Sequence, residues 1–369
     1  MLQKAAIITA FDPFVSRGGI ETYTLQLLAL LNSKGIEVTI YHTGLPEGEK
    51  ATDAPELRNT FLKEIYQLGG KLRREDKKYD FIIANSFYGM GYFPPSVRTF
   101  TIYHSVYGGF TEKYKDIYSD DPYFYFKWLC EEMGEYVSGY GRTRIAVSES
   151  VKKELESIYG FHDVKCVFHG VDASLFKSRG EGRRHLRQKL GIPEDAFVGI
   201  FVGGWEVEKR NNIMSCIISQ RPDIYWLLIL GRRGEECNLR ERPNVTVKEE
   251  VQHNDMPLMY SLADFMLFPS AYEGFGLVII EAMACGLPVI TTNVGVAQSI
   301  YKERPFHRLL LPDISRCDAK DLAIIDEKIN VLKEDRKIRS EIVREGVALV
   351  KERFSLERWK KEMERVLDL

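Results

Sequence analysis

A pair of glutamates flanks a glycine-containing turn in the segment from Pro269 to Ile290, which reads PSAYEGFGLVIIEAMACGLPVI. Glu273 and Glu281 are separated by seven residues. The turn after the first glutamate consists of Gly274, Phe275 and Gly276. Glycines allow a backbone to approach a ligand closely because they carry no side chain. Carboxylates beside such a turn are suited to accept hydrogen bonds from the hydroxyl groups of that ligand.

A helix that begins near Leu277 would direct its free N–H groups and the positive end of its dipole at this turn, where they could bind a phosphate. Glu281, one turn into the helix, could then accept hydrogen bonds from the two hydroxyls of a ribose. Glu273, before the helix, would face a sugar. The alternative is a surface loop followed by an ordinary core helix with an exposed glutamate.

A second candidate is Lys209, in the stretch FVGGWEVEKR from Phe201 to Arg210. An apolar run that ends in two glycines is typical of a buried strand followed by a tight turn. A lysine ammonium is a compact charge with three donors and therefore suits a pyrophosphate. The alternative is a solvated lysine on a polar turn.

Two further candidates lie in the first half of the chain. Gly18 and Gly19, in SRGGIETYTLQLLALL, precede a helical pattern and would place bare backbone at a helix N-terminus, where a phosphate or an acceptor could bind. They are equally consistent with a simple tight turn. His104 ends the apolar run FTIYH, and open α/β sheets bind ligands at the carboxyl ends of their strands.

The elements that position these residues alternate between strands and helices, as in a parallel sheet. Helical spacing of apolar residues predicts a helix over Gly19–Ser33. In the first half, strands are predicted at 5–9, 37–42, 81–84, 99–104 and 144–147. In the second half they are predicted from Phe197 into the two glycines and at 225–230, 245–247, 265–269 and 288–292.

Two other segments have distinctive patterns. The polar stretch from Asp172 to Glu194 is the best candidate for a crossing between domains. Near the C-terminus, apolar residues share one face of an amphipathic helix that must dock on another element. They are Trp359, Met363, Val366 and Leu367.

Length and composition limit the class of protein. A chain of 369 residues favours two domains, and a formal net charge of -2 gives no global field to hold nucleic acid. The six cysteines are scattered without zinc-ligand spacing, so we expect reduced thiols. Neither a secretion signal nor a run of roughly 20 apolar residues is apparent, which predicts a cytoplasmic protein.

The segment from Pro269 to Ile290 closely resembles the retaining glycosyltransferases of family 4. Their signature is a Glu-x7-Glu pair preceded by Pro-Ser and followed by Glu-Ala-Met-Ala-x-Gly-x-Pro-Val. The resemblance implies that Glu273 contacts the donor hexose and that Glu281 binds the ribose. It also implies roles for Gly18 and Gly19 as the family's Gly-Gly-x-Glu loop, and for His104 as a contact of the donor sugar.

Lys209 matches the family lysine that holds the donor diphosphate, but the family arginine nearby is replaced by Gly204. Arg210, Arg232 and Arg233 are the candidates to supply the missing charge. With Lys209 and the turn 274–277, we therefore assign Gly204 and Arg210 to the expected donor site.

The resemblance spans nearly the whole chain and implies a GT-B architecture, an α/β fold with two Rossmann-like domains whose parallel sheets face each other across a cleft. We expect residues 1–172 and a C-terminal helix at 355–369 to form the acceptor-binding domain, and residues 173–354 the donor-binding domain. The implied reaction is metal-independent and needs no cofactor besides the nucleotide-sugar substrate. Consistently, the chain has no Asp-x-Asp motif.

Two alternatives remain open: a nucleotide-sugar epimerase of the same architecture, and a non-catalytic nucleotide-sugar binding protein. A dinucleotide oxidoreductase is disfavoured, because SRGGIE stands where Gly-x-Gly-x-x-Gly would be required. We expect a UDP- or GDP-linked hexose as donor and a saccharide or lipid-linked acceptor. Lys71–Tyr79 leaves open a weak peripheral contact with the inner face of the membrane, although its interleaved acids favour a solvated surface. Oligomeric state is not indicated.

Overall fold

The chain divides into two compact units in a computed structural model of the protein. Unit 1 comprises Met1–His169 and Lys360–Leu369, and unit 2 comprises Gly170–Trp359. The structure describes residues 3–16, 18–45, 55–115, 122–178, 182–231, 239–314 and 317–369.

Unit 1 alternates strands and helices along most of its length. Its elements are β1 (Lys4–Ile8), α1 (Gly19–Ser33), β2 (Glu37–Tyr41), α2 (Pro55–Arg73), β3 (Phe81–Asn85), β4 (Thr99–Tyr103), α3 (Tyr107–Tyr114), α4 (Pro122–Gly139), β5 (Thr143–Ala146), α5 (Glu149–Tyr159) and β6 (Lys165–Cys166). The strands form one parallel sheet in the order β2-β1-β3-β4-β5-β6. Every residue of β3 and β4 is buried, as expected for inner strands of a parallel sheet.

Unit 2 also combines strands and helices around one parallel sheet, with a different strand order. Its elements are α6 (Arg183–Lys189), β7 (Val198–Gly203), α7 (Asn211–Gln220), β8 (Tyr225–Leu230), β9 (Val245–Glu249), α8 (Met256–Leu262), β10 (Phe265–Phe268), α9 (Leu277–Ala284), β11 (Val289–Thr292), α10 (Ala297–Ile300), β12 (Leu310–Leu311), α11 (Ala319–Glu334) and α12 (Arg336–Arg353). The sheet order is β12-β11-β10-β7-β8-β9, again parallel.

The strand order of unit 2 is that of a Rossmann fold, because the chain runs outward from β7 on one side and from β10 on the other. Between β7 and β10 the direction of winding reverses. Ligands of open α/β sheets bind at this point. The predicted α/β fold with two Rossmann-like units is confirmed.

The last helix, α13 (Leu356–Leu367), begins in unit 2 and ends in unit 1. Met363 is fully buried, and its Sδ accepts a hydrogen bond from the hydroxyl of Tyr23 at 3.4 Å. Lys34, at the end of α1, forms an ion pair of 3.0 Å with Glu364. The amphipathic helix predicted from the sequence therefore docks on α1.

The polar segment Asp172–Glu194 differs from its interpretation as a crossing between domains. It lies within unit 2, and the unit boundary falls after His169. The segment contains α6, in which buried Arg187 donates hydrogen bonds of 3.1 and 2.7 Å to the carbonyl oxygen of Leu262. Its basic composition thus reflects a structural arginine as well as surface charge.

Among the described residues, no helix has the length and apolar character needed to cross a membrane.

Candidate functional site

A lysine and a glutamate meet where the winding of the unit 2 sheet reverses. Lys209 ends a short 3-10 turn after β7, and Glu273 lies in the loop after β10. The ammonium Nζ of Lys209 forms an ion pair with Oε1 of Glu273. Both side chains are partly exposed, at 23% and 14% respectively. The two residues assigned to the diphosphate and the hexose are therefore brought together at the edge where such a sheet binds ligands.

Ser270 supports this ion pair; it is the serine of the Pro-Ser in the family signature, but the sequence assigned it no role. It is fully buried, and its Oγ lies 2.9 Å from Oε1 of Glu273 and 3.0 Å from the carbonyl oxygen of Tyr272. The amide of Ala271 donates to the carbonyl oxygen of Glu208 at 2.9 Å, which ties the loop after β10 to the loop after β7. The position of Glu273 is thus set by a buried hydroxyl and by a cross-loop hydrogen bond.

Helix α9 begins at Leu277, where the sequence placed it. Gly276 precedes it with φ of +82°, a left-handed conformation that favours glycine. Phe275 is buried, and its carbonyl oxygen accepts a hydrogen bond of 2.7 Å from the amide of Val296. The turn is anchored through Phe275, and Gly274 between Phe275 and Glu273 is also buried.

Glu281 lies one turn into α9 and is almost completely buried, with 4% of its side chain exposed. Its Oε1 is 2.8 Å from Nε2 of His253, and its Oε2 accepts a hydrogen bond of 2.9 Å from the hydroxyl of Tyr260. Burial alone would lower the pKa of His253, but the hydrogen bond and charge of Glu281 outweigh it and raise that pKa above its ordinary value. The sequence analysis missed both partners. His253 and Tyr260 precede Glu281 by 28 and 21 residues, and no sequence motif links them to it.

Arg210, a candidate for the missing phosphate contact, is already engaged. Its guanidinium forms an ion pair with Asp313 and donates a hydrogen bond of 3.3 Å to the carbonyl oxygen of Pro269, and only 6% of the residue is exposed. A phosphate would share the guanidinium with these two contacts, which use two of its five N–H donors. A Cβ at Gly204 would lie 3.1 Å from the carboxyl carbon of Glu206, and Arg232 and Arg233 fall outside the described residues.

In unit 1, Gly18 and Gly19 begin α1 and are both exposed. The backbone at Gly18 is extended, and a Cβ built at Gly19 meets no atom within 4 Å. A left-handed backbone therefore does not require glycine at position 18, and close packing does not require it at position 19. The fold leaves their backbone open to solvent at the amino end of α1.

His104 follows β4 at the carboxyl edge of the unit 1 sheet, as predicted from the sequence. Its Nε2 is 3.0 Å from Oδ1 of Asn85, whose Nδ2 donates to the hydroxyl of Thr24 at 3.0 Å. Tyr23 stands edge-on to both His104 and His169, with ring centroids 4.9 and 4.8 Å apart. Burial among these groups lowers the pKa of His104 to about 3, so the ring is neutral at physiological pH.

Asn85 could have been found from the sequence, because it is the polar residue that ends the buried strand Phe81–Asn85. Among the residues that the structure describes, no cluster of three or more His, Cys, Asp or Glu side chains is arranged to hold a metal ion.

Two family models match the chain. The model described as glycosyl transferases group 1 matches residues 182–349, and the model described as glycosyltransferase family 4 matches residues 17–175. The first match includes Lys209, Glu273 and Glu281, and the second includes His104.

Relatives with curated descriptions match over part of their length. The putative teichuronic acid biosynthesis glycosyltransferase TuaC of Bacillus subtilis is 28% identical over 168 residues, which cover 46% of this chain and 42% of that protein. A D-inositol 3-phosphate glycosyltransferase of Mycobacterium tuberculosis is 30% identical over 166 residues, which cover 41% of this chain and 34% of that protein. The chain thus spans less than half the length of these relatives.

Solved structures match over the whole length. Sucrose-phosphate synthase from Thermosynechococcus elongatus has a TM-score of 0.80 at 22% identity, covering 99% of this chain and 98% of that one. Anabaena HepE in complex with UDP-glucose has a TM-score of 0.71 at 19% identity, covering 99% of both chains. At these identities the likeness establishes a shared fold.

Proposed function

Because the chain belongs to the group 1 glycosyltransferases of family 4, we propose that it transfers a hexose from a nucleoside diphosphate sugar to a hydroxyl group of a saccharide or lipid-linked acceptor. The observation that carries the proposal is the meeting of Lys209 and Glu273 beside the amino end of α9. A cation, a carboxylate and a helix N-terminus at one sheet edge offer separate contacts for a diphosphate and a sugar.

In the proposed reaction the bond between the anomeric carbon and the diphosphate oxygen breaks, and a bond to the acceptor oxygen forms. The acceptor's proton leaves with the nucleoside diphosphate. Negative charge that develops on the leaving group is stabilised by the ammonium of Lys209 and by the amides at Gly276 and Leu277. Glu273 orients the hexose. These contacts require no metal, so we expect transfer to persist in a chelator.

Glu281 binds the ribose in this proposal. An ionised carboxylate has about four lone-pair positions, and two are used by His253 and Tyr260. Two positions therefore remain for the two ribose hydroxyls. We favour a UDP- or GDP-linked donor, and the relative HepE, which has been solved with UDP-glucose, makes UDP the first base to test.

Transfer with retention at the anomeric carbon is part of the proposal, by either a covalent intermediate or same-face attack within an ion pair. The stereochemistry of the product, read by NMR of the newly formed linkage, tests it. An inverted product would contradict the retaining assignment without contradicting transfer.

Two alternative functions are distinguished from transfer by experiment. A binding protein without catalysis is favoured by Gly204, which stands where the family has an arginine. An epimerase of the same architecture would use the same nucleotide contacts without an acceptor. Incubation of the protein with a donor alone, followed by product analysis, distinguishes an isomerised nucleotide sugar from an unchanged one.

For its setting, we propose a cytoplasmic enzyme of glycan assembly with, at most, a weak peripheral membrane contact. In the Lys71–Tyr79 segment, Lys78 pairs with Glu75 at 3.1 Å, and Asp76 is buried against Tyr92. The ion pair of Lys78 with Glu75 offsets one positive charge that would otherwise be available to anionic lipids. Sedimentation with anionic liposomes at low and high salt tests the contact, and the absence of binding at low salt would exclude it.

The central experiment measures thermal stabilisation by UDP, GDP, ADP and their sugars, because a ligand that binds only the folded state raises its stability. The nucleotide that stabilises the protein is then used in a transfer assay with saccharide and lipid-linked acceptors. Glu273→Ala should abolish most transfer, and Glu281→Ala should chiefly raise the donor KM. Glu334→Ala, an exposed glutamate on α11, is the matched control. Near-wild-type kinetics in both site variants would contradict the assignment.

A further inference from the structure

His253 is the accessible member of a three-residue cluster around Glu281. Its side chain is 40% exposed, whereas that of Glu281 is 4% exposed and Tyr260 is almost completely buried. Phe176 packs against both partners, with ring centroids 5.1 Å from His253 and 6.4 Å from Tyr260. Among these three side chains, that of His253 is therefore the most accessible to solvent.

The protons in the cluster have fixed positions. An ionised carboxylate can only accept hydrogen bonds, so Nε2 of His253 carries a proton in either charge state of the ring. The hydroxyl of Tyr260 donates to the other oxygen, since burial and the charge of Glu281 raise the pKa of Tyr260 well above its usual range. Each carboxylate oxygen thus receives one donor from the protein and keeps acceptor capacity for another.

We propose that His253 is a positioning residue for ribose recognition: its Nε2–H orients the carboxylate of Glu281 toward the two ribose hydroxyls, and its exposed edge borders the ligand. The inference rests on the proposed function, in which Glu281 binds the ribose. It assigns a new residue to the donor site and identifies the ribose hydroxyls as the groups that it helps to select.

The expected kinetic effect follows from the distance between the ribose and the reacting bond. Contacts with the ribose are made equally in the ground state and the transition state, so their loss raises KM and leaves kcat nearly unchanged. Loss of one hydrogen bond to a charged group corresponds to a change in affinity of about tenfold or more.

The test compares His253→Leu with His253→Gln, whose amide can donate in place of Nε2–H. The probe is whichever of UDP, GDP and ADP stabilises the wild-type protein most. Its affinity is compared with that of the same nucleotide in its 2′-deoxy form. We expect His253→Leu to raise the donor KM about tenfold or more with kcat within about twofold, and to lose the preference for the ribonucleotide. His253→Gln should keep most of the wild-type donor KM and most of the preference for the ribonucleotide. His307→Leu, an exposed histidine of the same unit, is the control.

Separate outcomes address the inference and the function on which it rests. If the wild-type protein binds and discriminates the ribonucleotide but His253→Leu does so equally well, the role of His253 is wrong and the proposed function stands. If the wild-type protein binds none of the nucleotides, the proposed function fails first.

Imidazole NMR of the wild-type protein supplies a readout that needs no variant. Nucleotide binding should shift the ring resonances of His253 and leave those of His307 in place, and an unmoved His253 would overturn the inference.

Discussion

Nε2 of His104 lies 3.0 Å from Oδ1 of Asn85, at the carboxyl ends of the neighbouring strands β4 and β3. The hydroxyl of Thr24 donates to the carbonyl oxygen of Ile20 at 2.7 Å, so it must accept from Nδ2 of Asn85. This fixes the amide with Oδ1 toward the imidazole. Neutral His104 therefore carries its proton on Nε2 and leaves Nδ1 as an acceptor.

The first prediction concerns this tautomer. Asn85→Ala removes the acceptor that holds Nε2–H, and we expect the rate of transfer to fall about tenfold, the equivalent of one hydrogen bond. Transfer is measured at saturating donor, and nitrogen chemical shifts report the tautomer of His104. Thr24→Ser, which keeps the hydroxyl, is the control. A severe loss in His104→Ala with no loss in Asn85→Ala would show that the orientation of the ring is set elsewhere.

The second prediction follows from the pKa of His104, which burial lowers to about 3 against about 6.5 in an unfolded chain. Between these pH values the unfolded chain binds a proton that the folded ring does not. Stability therefore falls as the pH decreases from 6.5 toward 3, by at most about 1.4 kcal/mol per pH unit. His104→Gln lacks this contribution and should lose less stability on acidification.

Urea unfolding of both proteins at pH 7.5, 6 and 5 measures the difference in their free energies of unfolding. We expect the free energy of unfolding of the wild type to decrease more than that of His104→Gln as the pH falls. His169 is present in both proteins, and burial, the larger cause of its lowered pKa, acts in both; the charge of His104 lowers that pKa further in the wild type only. A difference that is constant across the pH range would mean that His104 titrates normally in the folded state.

The elements that position these residues were predictable because their signals are local. The helix over Gly19–Ser33 is confirmed at both ends, and glycines mark its limits: the pair Gly18 and Gly19 where it begins, and Gly35 after it ends. The buried strands were visible as apolar runs, and β8 is confirmed at both ends as Tyr225–Leu230. In each case the residues that define the element are adjacent in sequence.

The partners of the candidate site residues were not predictable, because they depend on tertiary contacts. His253 reaches Glu281 from 28 residues away, and Arg210 meets Asp313 across 103 residues. No periodicity or motif links such positions. The same reason explains the docking of α13, whose apolar face was evident while its contact with Tyr23 was not.

The third prediction separates the two members of the Lys209–Glu273 pair. In the unliganded protein Glu273 competes with a diphosphate for the ammonium of Lys209. Glu273→Ala should therefore bind a nucleoside diphosphate at least as tightly as the wild type while its transfer rate collapses. Lys209→Met should lose both affinity and rate, with a fall in kcat of about a hundredfold or more. Calorimetric titration and initial rates measure the two effects. Weaker binding in both variants would mean that Glu273 does not restrain the lysine.

The fourth prediction concerns Arg210, which we interpret as a structural residue that stabilises the loop after β10. Its contacts are the carbonyl oxygen of Pro269 and the carboxylate of Asp313, whose side chain is 62% exposed. Arg210→Gln should lower the free energy of unfolding by about 1 to 2 kcal/mol, because the carbonyl oxygen of Pro269 loses its donor. The loss of the ion pair adds little, because solvent screens Asp313. Nucleotide affinity should change less than in Lys209→Met. An equal loss of nucleotide affinity in the two variants would instead indicate that Arg210 binds the diphosphate.

The fifth prediction tests the turn before α9 through a residue that no motif identifies. Gly295 has φ of +50°, and a Cβ built there would lie 2.3 Å from the carbonyl oxygen of Phe275, the same oxygen that accepts the hydrogen bond from Val296. Gly295→Ala must therefore displace the backbone of the turn as well as strain its own. We expect a loss of stability of about 1 to 3 kcal/mol and a weaker affinity for the nucleotide. Gly231→Ala is the matched control, because a Cβ at Gly231 meets no atom within 4 Å. Thermal unfolding with and without nucleotide measures both quantities. If Gly295→Ala loses stability but binds the nucleotide as the wild type does, the turn can shift without affecting the ligand, and the amides at Gly276 and Leu277 are not its contacts.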